Sequence, residues 1–545
     1  MRRAANRAAL LAPPVAFLAV FFAWPVVNIV AEGLRDDAGG WDLSGVGEVL
    51  GSAALRRVAW FTLWQAAAST ALTFALALPA AHVLATYEFR GRRAISALVT
   101  VPFVLPTVVV GAAFLALLGP RSPIGVDLDE TVWAILIAHA FFNHAVVVRT
   151  VGGLWEGLDR RTVEAARTLG ASPWQAFREV TWPALRPAAG AAAAITFLFT
   201  FTSFGVIRIL GGPEHSTIEA EIYRQTADLL DLPVASVLAL VQLAAVGALL
   251  VVQDRLERRR AAVAVALGPP SRRRPATRRQ RIWLGANLAL MALLLATPLA
   301  VLVERSFRSS SGWSLTGWRA LGERGRGNGL FVAPVEAIGN SLRFAIAATV
   351  IAVVLGGLAA TALARSQSRL ARTLDAVLLL PLGTSAVTVG FGFLIALDSP
   401  VDLRASPWLV PAAQAVVALP FVVRTMTPVL RSIDERLREA AAVLGASPRR
   451  AWLEVDLPLV RRAVLVAAGF AFAISLGEFG ATTVIARADA PTVPVAIDRL
   501  LARPGSVNVS AAFALSTVLM VITAAAVLVV DRGRARRTGA RGSWL

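Results

Sequence analysis

Apolar residues in this chain gather into long runs. The runs cover about 9–31, 58–86, 94–119, 131–152, 187–210 and 233–252, then about 282–303, 341–364, 374–397, 408–425, 463–485 and 508–530. About 20 apolar residues in a helix cross the hydrocarbon core of a bilayer. The pattern predicts an all-α polytopic membrane protein of about 12 transmembrane helices, six followed by six. Pro106, Pro298 and Pro420 fall inside such runs, where neighbouring helices are expected to satisfy the freed carbonyls. The first run follows Arg2, Arg3 and Arg7, as in a signal peptide. Its length and the lack of a small-x-small cleavage site favour a retained first span.

The segments between runs set an orientation. Cations crowd the N-terminus, the second-to-third connection (Arg90, Arg92, Arg93) and the fourth-to-fifth (Arg160, Arg161, Arg167, Arg178). They recur in the tenth-to-eleventh (Arg431, Arg436, Arg438, Arg449, Arg450) and at the C-terminus (Arg532, Arg534, Arg536, Arg537). The alternate connections are acidic or mixed: Asp36, Asp37 and Asp42; Asp127, Asp129 and Glu130; Glu214, Glu219 and Glu221. The positive-inside rule therefore puts both termini on the cytoplasmic side of the membrane. The 304–340 connection, with Arg305, Arg308, Arg319, Arg324 and Arg326, departs from the rule but is long enough to translocate. Residues 253–281 hold Arg258 to Arg260, Arg272 to Arg274, Arg278, Arg279 and Arg281 around Gly268-Pro269-Pro270. They read as a basic cytoplasmic linker, a solvated charge run with a topogenic role, or else a lipid or regulatory site.

Composition narrows the chemistry. The chain is 56% hydrophobic and 16% charged, against about 25% charged in soluble domains. Its net charge is +19 with no lysine at all. Cations confined to short membrane-flanking connections argue against a nucleic-acid binder. Without Lys there is no Walker A loop to cradle phosphates. Without Cys there is no disulfide and no thiolate metal site. The four His lack metal-ligand spacing, and no catalytic triad, carboxylate pair or phosphate loop is found. The expectation is no catalytic residue, no metal and no cofactor in this chain.

A repeat underlies the six-plus-six pattern. Glu164-Ala165-Ala166-Arg167-Thr168-Leu169-Gly170-Ala171-Ser172-Pro173 matches Glu439-Ala440-Ala441-Ala442-Val443-Leu444-Gly445-Ala446-Ser447-Pro448. The same spacing pairs Arg149 with Arg424, Phe204-Gly205 with Phe479-Gly480, and Thr217, Ile222 and Arg224 with Thr492, Ile497 and Arg499. A register held over several elements implies duplication. Each repeated loop predicts two short helices meeting at a corner. Glu-Ala-Ala is strongly helix-forming. Gly170 and Gly445 suit a left-handed helix end. Ser172-Pro173 and Ser447-Pro448 supply an N-cap and a proline at the first helical position. Gln175 completes a capping box in the first copy, and Arg450 cannot in the second. A single such loop could simply lie in the interface; two copies favour docking to a twofold-related partner.

These residues resemble the Glu-Ala-Ala loop of binding-protein-dependent ABC importer permeases: Glu-Ala-Ala, three residues, Gly, nine residues, an aliphatic, one residue, Leu-Pro. The second copy fits through Val455 and Leu457-Pro458; the first departs at Trp182, where Leu is usual. The resemblance implies two tandem six-helix type-I ABC permease modules, 1–252 (core about 58–252) and 282–545 (core about 341–530), joined by 253–281. It implies ATPase coupling through Glu164, Ala165, Ala166 and Gly170 and through Glu439, Ala440, Ala441 and Gly445. It implies two copies of an ABC ATPase subunit holding ATP and Mg, an extracytoplasmic solute-binding protein, and surrounding membrane lipid. Fused permeases of this length occur among thiamine and ferric-iron importers. His139 to Asn143, Ser203-Phe204-Gly205, Gly211-Gly212-Pro213, Thr217-Ile218-Glu219 and Ile222-Tyr223 are similar to the thiamine type, and the ferric-iron type shares much of this.

Polar residues inside the runs are candidate pathway residues. A carboxylate at the bilayer centre costs roughly 2.5–3.5 kcal/mol, so Glu478, placed well inside the eleventh run, needs a cavity or a partner. It aligns with Ser203. It reads either as a pathway lining or as a structural hydrogen bond near a helix end. His139, Asn143 and Gln414 are read as interhelical glue before substrate ligands. The rival classes are an ion-coupled secondary transporter, which needs no repeated elbow, and a membrane enzyme, which needs clustered catalytic side chains.

Overall fold

A computed structural model describes residues 2–535 apart from 36–39, 41–43, 121, 263–271, 310–311, 325–328, 365–367 and 400–401. Asp36, Asp37, Asp42, Gly268-Pro269-Pro270, Arg326, Arg536 and Arg537 lie outside the described residues. The runs become helices. First come α1 (Ala9–Gly33), α2 (Ala53–Thr86), α3 (Arg92–Val104), α4 (Thr107–Leu118) and α5 (Val132–Gly157). The short α6 (Arg160–Thr168), α7 (Pro173–Phe201), the short α8 (Gly205–Leu210) and α9 (Leu232–Gln253) follow. The second half runs α10 (Arg278–Ser306), α11 (Pro334–Ala364), α12 (Arg369–Leu379), α13 (Ala386–Ala396) and α14 (Leu409–Arg431). It ends with α15 (Glu435–Val443), α16 (Arg449–Gly477), α17 (Gly480–Ile485), α18 (Val493–Leu501) and α19 (Ser506–Leu528).

Among the described residues, 10 helices are long and apolar enough to cross a bilayer, or 11 with a bent pair counted as one span. The expected number was about twelve. The shortfall has a local cause. α3 and α4 meet at 107°. Leu105, forced out of the helical region by the proline after it, has ψ 141°. Pro106 thus breaks the third run, while Pro420 stays inside α14 and Pro298 follows a one-residue interruption at Ala296 within α10. The ninth run breaks at a 3-10 turn over Leu380–Gly383. Ser385 Oγ then accepts from Thr388 N at 3.2 Å and starts α13, which has only 11 residues.

Packing divides the chain into two compact units. One comprises Gly51–Ala220 and Ala244–Arg308. Its central contact is α2 on α5, where a Cβ on Gly152 would lie 3.4 Å from Ala81 Cβ; the buried Thr73, Ala77, Ala81 and Ala85, spaced by four, share one face of α2. Without a hydrophobic drive between helices in lipid, such small side chains gain dispersion by close approach. α10 belongs to this unit, with Leu284 packed on Val83 and Tyr87.

The other unit comprises Met1–Leu50, Glu221–Leu243 and Ser309–Gly539. α11 repeats the small stripe as Ala348, Ala352, Gly356 and Ala360 against α14. A Cβ on Gly356 would lie 2.7 Å from Val422 Cγ1. α1 belongs here. Trp24 Nε1 donates to Ala396 O at 3.0 Å, and the Phe21 and Phe393 rings lie 5.8 Å apart.

Candidate functional site

The two elbows are built by the local chemistry their sequences carry. Asp159 and Asp434 open α6 and α15, each carboxylate accepting at 3.0 Å from the amide two residues on, of Arg161 and Arg436. Both helices end on a left-handed glycine, Gly170 at φ 94° and Gly445 at φ 81°. Gly170 N donates to Arg167 O and Ala171 N to Ala166 O, both at 3.1 Å. Gly445 N donates to Ala442 O at 3.0 Å and Ala446 N to Ala441 O at 2.9 Å. These crossed amides are the Schellman arrangement, which satisfies carbonyls a helix end would otherwise leave orphaned.

The next helix starts at once. Ser172 Oγ accepts from Gln175 N at 3.2 Å and Gln175 Oε1 from Ser172 N at 2.8 Å, a complete capping box. Ser447 Oγ accepts from Arg450 N at 3.3 Å without the reciprocal bond. Each copy then passes through a π-helical turn, Phe177–Thr181 and Trp452–Asp456. At the first corner, burial and then the charge of Arg273 hold the Arg160 guanidinium below its usual pKa.

The elbows present their motif outward. Glu164, Ala165, Gly170, Glu439, Ala440 and Gly445 are exposed, and Ala166 and Ala441 are half-buried. Leu169 is 89% and Leu444 87% exposed, each just before its glycine. Sequence reasoning missed this matched pair of leucines, although the repeat displayed it.

The second feature is a pair of interrupted spans in each half. α7 stops at Phe201 and α16 at Gly477, so the fifth and eleventh runs overshoot their helices. Glu478 is therefore not well inside a continuous span. Its backbone is extended, φ −65° and ψ 127°, in the gap before α17. One carboxylate oxygen accepts from Ala481 N at 2.7 Å and the other from Thr482 N at 3.0 Å. A buried carboxylate is tolerated there because the orphan amides of a helix start answer its charge. In the matching gap, Ser203 Oγ lies 2.9 Å from His139 Nε2, and His139 Nδ1 lies 3.0 Å from Ser69 Oγ. Asn143 Nδ2 donates to His139 O at 3.0 Å. The Asn143 and Gln414 side-chain oxygens are buried without a partner among the described residues.

The structure thus brings Ser203, His139 and Asn143 together with Ser69, a serine inside an apolar run that nothing in the sequence marked. Glycine follows the break in both copies because the facing helix leaves no room. A Cβ on Gly480 would lie 2.8 Å from Ala386 Cβ, and one on Gly205 would strike the Thr107 hydroxyl. Glu219 and Glu221, read as loop acids, are buried. Glu221 takes two bonds from Arg224, at 2.6 and 2.9 Å, and one from Gln225 at 2.6 Å. The i,i+3 spacing of Glu221 and Arg224 was the available signal.

Duplicated elbows joined to interrupted spans define a membrane transport component. Residues 73–262 and 329–536 match the family of binding-protein-dependent transport system inner membrane components, and the chain belongs to that family. It is a multi-pass inner-membrane component of such a system. It is similar to the thiamine transport system permease protein ThiP of Brucella abortus (strain 2308), 29% identical over 523 residues, 93% of this chain and 92% of that one. ThiP of Escherichia coli (strain K12) is 28% identical, covering 81% of this chain and 82% of its own. A probable ABC transporter permease protein, y4fN of Sinorhizobium fredii, is 26% identical over 90% of each chain.

Proposed function

We propose that this chain is the fused permease of a thiamine importer driven by two copies of a separate ABC ATPase subunit. The observation that carries the substrate is similarity to thiamine permeases along 93% of the chain. The observation that supports the coupling is the duplicated, outward-facing elbow. In this reading Glu164, Ala165, Ala166 and Gly170, and Glu439, Ala440, Ala441 and Gly445, shape two docking corners whose apolar tips are Leu169 and Leu444. The partner subunits hold ATP and Mg, and hydrolysis takes place there. The elbows and both termini lie on the cytoplasmic side, and a binding protein delivers ligand from the other.

Drawing the elbows together on ATP binding and releasing them after hydrolysis would switch access from one side to the other, by rigid-body movement around the interrupted spans. Ser203, Asn143 beside it through His139, and Glu478 stand at those interruptions, and together with the buried Gln414 of α14 they are the proposed path residues. Glu478 acts there by fixing the start of α17.

The test is ATP hydrolysis by the reconstituted complex with candidate loaded binding proteins. Wild type is compared with Gly170→Val plus Gly445→Val, since a β-branched residue resists φ > 0. Stimulation by the thiamine-loaded protein, lost in the variant, is the expected result. Stimulation only by a ferric-loaded protein would reassign the substrate. An unresponsive ATPase and an unaffected variant would overturn the importer reading.

A further inference from the structure

The two elbows are fixed to their units by different means. In the second, Arg438 Nε donates to Oδ1 of the buried Asp456 at 2.7 Å, tying α15 to the π-turn within α16. The first has Val163 and Thr181 at those positions and cannot form that pair. It is held from outside by the segment that joins the halves. Arg273 N donates to Thr86 O at 3.1 Å and Glu88 N to Arg273 O at 3.0 Å, a parallel bridge between Arg273 and Tyr87. Arg272 pairs with Glu156, and with Glu88 at 3.6 Å. Glu156 also takes Arg92 at 3.3 Å.

This clasp closes at the foot of the elbow. Glu156 lies four residues before Arg160, which opens α6 and donates to the same Thr86 O at 3.2 Å. The second half has Arg431 where the first has Glu156, so it cannot form the clasp. A merely solvated charge run needs neither backbone pairing nor a shared carboxylate.

We propose that Arg272 and Arg273 clasp the base of the first elbow to the end of α2, doing for it what Arg438–Asp456 does within the second. Arg272 and Glu156 are then positioning residues for coupling. The proposal rests on the elbows being the coupling elements.

The test measures ligand uptake and ATP hydrolysis in the same proteoliposomes, with Gly170→Val run alongside. Arg272→Glu is expected to lower ligand moved per ATP at least fivefold, and Arg272→Lys to stay within twofold of wild type. The chain has no native cysteine, so Tyr87→Cys with Arg273→Cys can be added to Arg272→Glu. Oxidation should restore coupling and reduction remove it again. Wild-type coupling in Arg272→Glu, with Gly170→Val uncoupled, would overturn the clasp and leave the elbow reading standing. No effect of Gly170→Val would sink the elbow reading itself. A disulfide that forms on the gel yet fails to restore coupling would also overturn the clasp.

Discussion

Replacing Gly445 by alanine isolates the contribution of one backbone angle. The glycine sits at φ 81°, and a Cβ built there meets nothing within 4 Å. No clash enters, so the cost is that of an L-residue in the left-handed region, roughly 1–2 kcal/mol. Alanine also restricts the open chain, which offsets about 0.4–1 kcal/mol of it. Taking the middle of each range leaves about 0.8 kcal/mol, or roughly fourfold in the local opening equilibrium at 1.4 kcal/mol per decade. The amides that report it are Gly445 N and Ala446 N, bonded to Ala442 O at 3.0 Å and Ala441 O at 2.9 Å. Hydrogen exchange followed over 440–450 should speed up by that factor, with the rest of the chain unchanged. Gly445→Asn should speed it less, because asparagine tolerates the left-handed region. Wild-type exchange in the alanine variant, or equal effects of Ala and Asn, would show that this angle does not hold the corner.

Gly356→Ala should cost about 1–3 kcal/mol by overpacking against Val422, seen as a lowered unfolding temperature; an unchanged midpoint refutes the close approach. Glu478→Gln turns an amide donor toward one of the two backbone donors at the start of α17. It should destabilise by about 1–3 kcal/mol, and faster exchange at Ala481 or Thr482 is the check. His139→Ala strands the hydroxyls of Ser69 and Ser203. Adding Ser203→Ala should then cost less than it does in wild type, a non-additivity that unfolding measurements on the double-mutant cycle would reveal. Burial foremost raises the Asp129 pKa, so its ionisation costs stability as pH rises from the unfolded carboxylate pKa to the folded one. Asp129→Asn should stabilise the chain at neutral pH and not in acid below the unfolded carboxylate pKa. Equal stabilisation at both would contradict the assignment.

The elbows were legible because everything that shapes them is local. A Glu-Ala-Ala start, a glycine, and a Ser-Pro two residues later each act on amides within one turn. The interruptions were not, because hydropathy measures solubility in lipid and not continuity of the helix. Leu105-Pro106 and Leu419-Pro420 look alike in a window, yet only the first breaks its helix. Glu478 drew attention as a charge in an apolar run. The sequence did not reveal that its oxygens turn to the amides of Ala481 and Thr482, because the run hid the helix end that supplies them.

The partnership of Trp24 with Ala396 bears on how the protein is made. These residues are 372 positions apart. At about 5–20 residues per second, a ribosome takes about 20–70 s to pass from one to the other. Until α11 and α13 are made, Leu18, Phe22 and Ile29, all buried at the end, lack side chains that later cover them. The leading helix is therefore selected twice, first as a lone segment content in lipid and later as a wall of someone else's core. A chain released before α11 would keep that helix without its covering residues, and membrane quality control would have an orphan to recognise.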